Sequence, residues 1–596
     1  MHTKMTEADK FLAMLRSKQE LAYDVETNGL NRNKCYVCGY SLSDGQDAFY
    51  VPVRHEGGEN ISNVDEFEST VNEIIRTRKH KLIGHNIKFD KHFSSNHGID
   101  LGQNIGDTMV YAALLDENKF SYSLKNVCKG YDIAQKKDEI LYAHLSELFG
   151  VKADRNSMGH YYRTAGNDAI AVEYAKGDTL STYQLYQCQK KDLYAQQLDV
   201  VVGLEDNLIS TLARIEKRGV RVDIDAVSKL KEEIDQLQTD AYSNIPLTEN
   251  LETINVKSGK DLQKYFEYLN ITDWPVTDKG NPSFNKTYLK GMEEGEAILH
   301  ARKLDHFTSS FLDPLDNLIH KSRIYTNFNQ TAGEFGGTKT GRLSSYGPNM
   351  QQIPKRDKFI GKRYRKIFIP DDGYVIIEFD YSQAEPRLFS HYSREPILIK
   401  GYNSTPFIDM HAVAAEMMGI SRDVAKNLNL GMMYAMGAMK LAISLGITYE
   451  EAKTIVKKWY KTFPRVGVFT KSAAERAEQR GYVKTILGRR ARFPDLRFSY
   501  KAANRIVQGG SADILKWKLV ELDRWLIDND LEDIAQMLLN IHDSVVMQIR
   551  EDRLDLIPLI VKLLEDVQVE PFNLSIPFVA DYKPASKNWS DATYGI

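Results

Sequence analysis

The sequence predicts an α/β domain over residues 1–200, followed by a larger α+β portion over residues 201–596. Three observations carry this reading. The length of 596 residues exceeds what one hydrophobic core supports. Strand-like and helix-like patterns alternate to about residue 195. Beyond that point long helical stretches are broken by isolated apolar strands, one at "YVIIEFDYSQ" and two flanking the "HDS" turn of "LNIHDSVVMQI".

The elements follow in order. After a short N-terminal helix, "LAYDVETNGL" is a strand that leaves the core through alternating acids, with "KCYVCGYSLS" and "AFYVPV" as sheet neighbours. "KLIGHNIKFDKHF" is a strand followed by a helix start. Long helices run through "LSTYQLYQCQKKDLYAQQLDVVVGLEDNLISTLARIEKRG", and the second domain begins inside that run. Residues 224–325 are Lys/Glu-rich and weakly apolar, which suggests an elongated helical subdomain closed by the Gly-rich "GEFGGTKTGRLSS". Helices through "SRDVAKNLNLGMMYAMG" and "EEAKTIVKKWYKTF" follow the strand at "YVIIEFDYSQ".

Bulk properties narrow the class. The formal net charge is −3, so any basic nucleic-acid footprint must be local and offset by acid elsewhere. Four cysteines make no disulfide framework and point to a reducing compartment. Cys35 and Cys38 form a C-x-x-C without a second pair at zinc spacing, and read as part of a strand. No signal-peptide run and no stretch of 18 apolar residues occurs, so a cytoplasmic protein is expected, neither secreted nor membrane-bound.

Two sets of acids carry chemistry. Asp24 and Glu26 lie two apart on one strand and share a face. Like carboxylates on a buried sheet repel and desolvate badly unless a cation joins them. "HNIKFD" adds Asn86 and Asp90, and "YAKGD" adds Tyr174 and Asp178 on one helical face. Together they offer an oxygen-rich site for hard divalent cations. In the second set, Asp380 ends an apolar strand with Glu385 just beyond, and Asp543 sits at the turn of "NIHDSVV". Between them Arg422, Lys426, Leu430 and Tyr434 step by four along one helical stripe. Cations at one end and an aromatic at the other suit phosphates and a base or sugar.

The ordered D-x-E, N-x-x-x-D and Y-x-x-x-D trio resembles the three motifs of the proofreading 3′→5′ exonuclease family. The segments "TGRLSSYGPNMQQIP", "DYSQAEPR", "RDVAKNLNLGMMYAMG", "NRIVQGGSADILK" and "IHDS" resemble, in order, the motifs of family A DNA polymerases. The resemblance implies a ribonuclease H-like α/β exonuclease domain before an α+β right-hand polymerase. Its thumb would span about 224–330, its palm 201–223, 331–400 and 510–596, and its fingers 401–509.

It further implies that Asp24, Glu26, Asp90 and Asp178 hold two metals while Tyr174 orients water and Asn86 contacts substrate. Asp380, Asp543 and the Tyr381 carbonyl would hold the polymerase metals, two Mg²⁺ per centre, with Mn²⁺ able to substitute. Arg422 and Lys426 would bind the triphosphate, Lys426 also protonating pyrophosphate, with His411 near the phosphates and Tyr434 by the nascent pair. Arg342, Asn504, Gln508 and His542 would contact primer or template in the minor groove. Glu385 resembles the family's block against a 2′-hydroxyl.

Four positions depart from the family's pattern: Leu430 for Phe or Tyr, Ala435 for Gly, Ser544 for Glu, and Pro386 for an aliphatic residue, placed to bend its helix. Leu430 offers no polar contact to a dideoxynucleotide, which predicts discrimination against it. Expected partners are primer–template DNA and dNTPs. A processivity factor or helicase/primase stays open, although the span 224–325 is short for a large insertion. A monomer is expected, of the phage or organellar kind without a preceding 5′-nuclease domain; if phage-encoded, it works in the host cytoplasm in DNA replication. The competing readings are a single-subunit RNA polymerase and a DNA-binding accessory subunit with decayed sites. Glu385 and the attached exonuclease domain oppose the first, and the six intact metal carboxylates oppose the second.

Overall fold

The computed structural model describes residues 5–134, 138–245, 254–332, 336–355, 357–407, 409–433 and 436–595. The chain divides into two compact units, each built from separated segments. The first comprises Met1–Arg218, Thr326–Gln351 and Phe379–Tyr582; the second comprises Gly219–Tyr325, Gln352–Glu378 and Lys583–Ile596.

In the first unit, strands β1 (Glu20–Thr27), β2 (Val37–Ser43), β3 (Ala48–Pro52), β4 (Lys81–Gly84) and β5 (Ile105–Asp107) form a sheet of order β3-β2-β1-β4-β5. β1 is central, antiparallel to β2 and parallel to β4. Its alternation explains its place. Leu21, Tyr23 and Val25 enter the core with Phe11, Leu15 and Phe93, so Asp24 and Glu26 are turned to the opposite face. The helix Ala169–Ala195 carries Tyr174 and Asp178, and its start is capped by Asp168, whose carboxylate accepts the N–H groups of Ile170 and Ala171.

The same unit holds β6 (Tyr374–Tyr381, from Phe379 onward), the hairpin strands β7 (Tyr482–Lys484) and β8 (Arg490–Arg492), then β9 (Ala535–Ile541), β10 (Ser544–Arg550) and β11 (Ala580–Tyr582). A four-stranded sheet runs β9-β10-β6-β11, backed by the long, largely buried helix Ala502–Asp528. β9 and β10 are joined by a tight turn at His542 and Asp543, with His542 at φ +54°. Pro386 lies in the first turn of the helix Ala384–Ser393, where its missing N–H has no intrahelical acceptor, and the helix continues past it.

The second unit differs from the elongated helical subdomain expected for 224–325. It has a compact core that recruits 352–378 and the C-terminal residues, and a four-stranded sheet of short strands at Phe368–Ile369, Val220–Val222, Arg323–Ile324 and Ile319–His320. Glu378 belongs to this core. Its carboxylate accepts from Lys355, Thr593 and the Trp589 indole, and Arg365 lies 4.0 Å over that indole with no exposure. These partners are far apart in sequence, which is why weak local periodicity concealed the core.

Candidate active sites

The first site lies on the acid face of β1. One carboxylate oxygen from each of Asp24, Glu26 and Asp178 lies within 4.8 Å of the others, the one such group of three among the described residues. β1 supplies two of them by strand alternation, and the helix Ala169–Ala195 supplies the third. Three like charges this close favour a divalent cation between them, and an all-oxygen donor set suits a hard one. Tyr174 sits one turn before Asp178, half-buried, its ring 6.1 Å from that of Tyr161. Asp90 is buried on the helix Ile87–Asn96 and does not join the group of three. Its Oδ1 accepts the Val25 N–H at 3.0 Å, and burial pushes its carboxyl well up, with the Asp107 and Glu26 charges adding to the rise.

Asn86 precedes that helix at φ +72°, a left-handed conformation that Asn tolerates better than most residues. Asp107, at the end of β5, fixes it. The Asp107 carboxylate accepts the N–H groups of Asn86 at 2.9 Å, Ile87 at 3.1 Å and Met109 at 2.9 Å. Burial pushes the Asp107 carboxyl up to about 6 despite these donors.

The second site lies at the strand ends of the β9-β10-β6-β11 sheet. Asp380 is near the end of β6, and Asp543 is in the β9–β10 turn; the Tyr381 N–H donates to the Asp543 carbonyl at 3.3 Å. The Tyr381 side chain points into the core and donates to the Leu564 carbonyl. Burial pushes the Asp543 carboxyl up, Arg342 pulls it down, and Asp380 adds to the rise. The Arg342 guanidinium pairs with Glu385 and lies 3.6 Å from Asp543. Asn504 and Gln508 lie one turn apart on the long helix, and the buried Asn504 Oδ1 and Arg342 Nε have no hydrogen-bond partner among the described residues.

The basic stripe stands on the helix Arg422–Met433. Arg422 pairs with Asp409 at 2.6 Å and Lys426 is exposed; Tyr434, Ala435 and the side chain of Leu430 lie outside the described residues. His411 is buried on the neighbouring helix Met410–Met418, its pKa lowered first by burial. Asn429, unnoticed in the sequence, ties these helices together. Its amide donates to the Met410 carbonyl at 3.3 Å and to His411 Nδ1 at 3.1 Å, and its oxygen accepts the Trp459 indole N–H at 2.7 Å.

With this geometry in hand, the relatives are informative. Residues 224–591 match the profile described as DNA polymerase family A, and residues 1–193 match one described as 3′-5′ exonuclease. The chain belongs to DNA polymerase family A. Among the relatives of this family A polymerase, the protein named DNA polymerase DpoZ from Salmonella phage PMBT28 is 31% identical, covering 97% of this chain and 98% of that one. The DpoZ of Acinetobacter phage SH-Ab 15497 is 32% identical over 96% and 97% of the two chains. DNA polymerase I of Synechocystis is 28% identical, and the match spans 60% of its length. A solved structure titled as the POL domain of Pol1 from M. smegmatis, in complex with DNA primer-template and dNTP, shares the fold at a TM-score of 0.80. It is 23% identical, with 99% of each chain covered.

The family A polymerase thus carries an N-terminal 3′→5′ exonuclease domain, and domains of both kinds generally use divalent metal ions. Asp107 and Asn429 were the residues that sequence reasoning passed over. The signal for Asp107 was an acid at a strand end directly before a helix, "IGDTMV". Asn429 left no local signal, since its partners lie 18 to 30 residues away.

Proposed function

We propose that this polymerase extends a primer 3′-hydroxyl with dNTPs at Asp380 and Asp543, and removes 3′-terminal nucleotides at Asp24, Glu26 and Asp178. The observation that carries the reading is the presence of two carboxylate centres on separate sheets of one compact unit. The oxygen-only donor sets fit Mg²⁺, two per centre, with Mn²⁺ as a substitute. When bound, the metals lower the pKa of water or hydroxyl and neutralise charge at the reacting phosphorus. Asp90 supports its centre from behind through the Val25 N–H, and Tyr174 orients the attacking water.

In the polymerase centre Arg422 and Lys426 take the triphosphate, and Lys426 gives a proton to the departing pyrophosphate. Tyr381 contributes its backbone carbonyl, His411 faces the phosphates, and Tyr434 and Leu430 meet the base and sugar. Arg342, Asn504, Gln508 and His542 contact primer and template, and the unpartnered Asn504 Oδ1 and Arg342 Nε support that role. Glu385 excludes a ribose 2′-hydroxyl. We assign residues 1–200 to the exonuclease and 201–596 to the polymerase, acting as a monomer on primer–template DNA. Phage DNA replication in the host cytoplasm is the proposed setting.

The test separates the centres. Asp380→Ala or Asp543→Ala abolishes Mg²⁺-dependent dNTP incorporation and leaves degradation of single-stranded 3′ ends. Asp24→Ala with Glu26→Ala does the reverse. Wild-type 3′ degradation by the Asp24/Glu26 variant would overturn the exonuclease assignment. Incorporation surviving in Asp380→Ala would overturn the polymerase assignment.

A further inference from the structure

Arg342 reaches the polymerase centre from the end of a short turn, residues 338–342, and something must hold that turn. Thr338 Oγ1 donates to the Arg342 carbonyl at 2.8 Å, which closes the turn on itself. From the other side it meets Arg489, in the β7–β8 hairpin. Gly341 has φ +84°, and a Cβ there would lie 2.9 Å from Arg489 Nε and 3.0 Å from its Cδ. The Arg489 side chain therefore occupies the space that a side chain at 341 would need.

Arg489 is itself clamped. Its Nε donates to Asp513 at 2.7 Å and its Nη2 to Glu205 at 2.6 Å. Lys516 donates to the same Glu205 oxygen at 2.6 Å, and Gln330 to the other at 2.6 Å. Glu205 and Asp513 are 0% exposed, Lys516 1% and Arg489 8%. Burial alone would raise the Glu205 carboxyl, but Lys516 and Arg489 hold it below its ordinary value. Two carboxylates and two cations balance, so the quartet tolerates burial that a single unmatched charge would not. The hairpin is pinned again by Arg492, which donates to Glu117 at 2.7 Å and to the Leu114 carbonyl at 3.1 Å. Thr485 of the hairpin packs where a Cβ on Gly509 would lie, with the Thr340 carbonyl 3.2 Å from the same point.

We propose that Arg489 is a positioning residue for polymerisation: anchored by Glu205 and Asp513, it holds the 338–342 turn so that Arg342 meets Glu385 and Asp543. The proposal rests on Arg342 acting in the polymerase centre. Only a planar fork can serve two carboxylates at once while lying flat against a glycine, so lysine is not an equivalent replacement. A displacement of about 1 Å at a reacting centre can cost up to ~100-fold in rate, which makes such a support visible in kinetics.

The experiment is a double-mutant cycle on the full chain. Arg489→Lys and Gly341→Ala are each made alone and with Arg342→Ala. Single-nucleotide kcat/KM is measured in the Asp24→Ala/Glu26→Ala background, and single-strand 3′ degradation in the exonuclease-competent chain. Arg489→Lys and Gly341→Ala each lower kcat/KM about tenfold, leave 3′ degradation within about twofold of wild type, and cause almost no further loss once Arg342 is alanine. Wild-type incorporation by both single variants overturns the proposal. So does a full additive loss in the Arg342→Ala background, or loss of 3′ degradation by both variants, since either marks a general stability effect. Wild-type incorporation by Arg342→Ala alone would instead overturn the placement of Arg342 in the centre.

Discussion

Asp107 holds three backbone N–H groups in place and with them the left-handed Asn86. Its carboxyl is pushed up to about 6 from an ordinary 3.8 by burial. The folded state therefore keeps a proton that the unfolded chain releases, and stability falls as pH rises between those two values, then levels off above the higher one. Asp107→Asn cannot ionise and escapes this loss, although it accepts the three donors less well. Its stability relative to wild type is expected to improve from about pH 4 to about pH 7, by up to about 3 kcal/mol. Thermal unfolding of both proteins at the two pH values checks it, and a gap that widens against the variant sinks it. Asp24 and Glu26 were legible because strand alternation puts them on one face without help from distant chain. Asp107 was not, since its value depends on a partner 21 residues earlier whose backbone angle no pattern announces.

At the scale of the element, the helix Arg422–Met433 is kept in register by Asn429, which is fully buried. A leucine at 429 would fill the same volume but leave the Trp459 N–H and the His411 ring nitrogen without partners. An unsatisfied buried group costs about 1–3 kcal/mol, so Asn429→Leu is expected to lower the unfolding midpoint. Because Arg422 and Lys426 ride on this helix, the KM for dNTP should rise as well, while 3′ degradation of single strands stays unchanged. Equal losses in both activities would mean that the substitution loosens the whole unit rather than this helix. The stripe itself was legible from its four-residue step. The Asn429 bridge and the Arg489 clamp were not, because hydrogen bonds across 18 to 30 and 24 to 284 residues leave no periodic trace.

Over the whole molecule, the chain leaves its second unit and returns to it twice, finally with Lys583–Ile596. The last residues of the sequence therefore stabilise a unit whose first residue is Gly219, an arrangement invisible to a reading that divides the chain into consecutive blocks. Trp589 is the keystone of that return. It is 1% exposed, donates to Glu378 at 2.9 Å, and lies under the Arg365 guanidinium at 4.0 Å. Replacing it with alanine removes a large buried ring and one hydrogen bond to a buried carboxylate, a loss of about 3–5 kcal/mol. That loss falls on the second unit alone, since the exonuclease sheet shares none of these contacts. Trp589→Ala is therefore expected to speed limited proteolysis within 219–325 while 3′ degradation of single strands holds at the wild-type rate. Mapping the cleavage sites by mass against the exonuclease rate decides it. Loss of exonuclease activity in step with proteolysis would mean that the two units unfold as one.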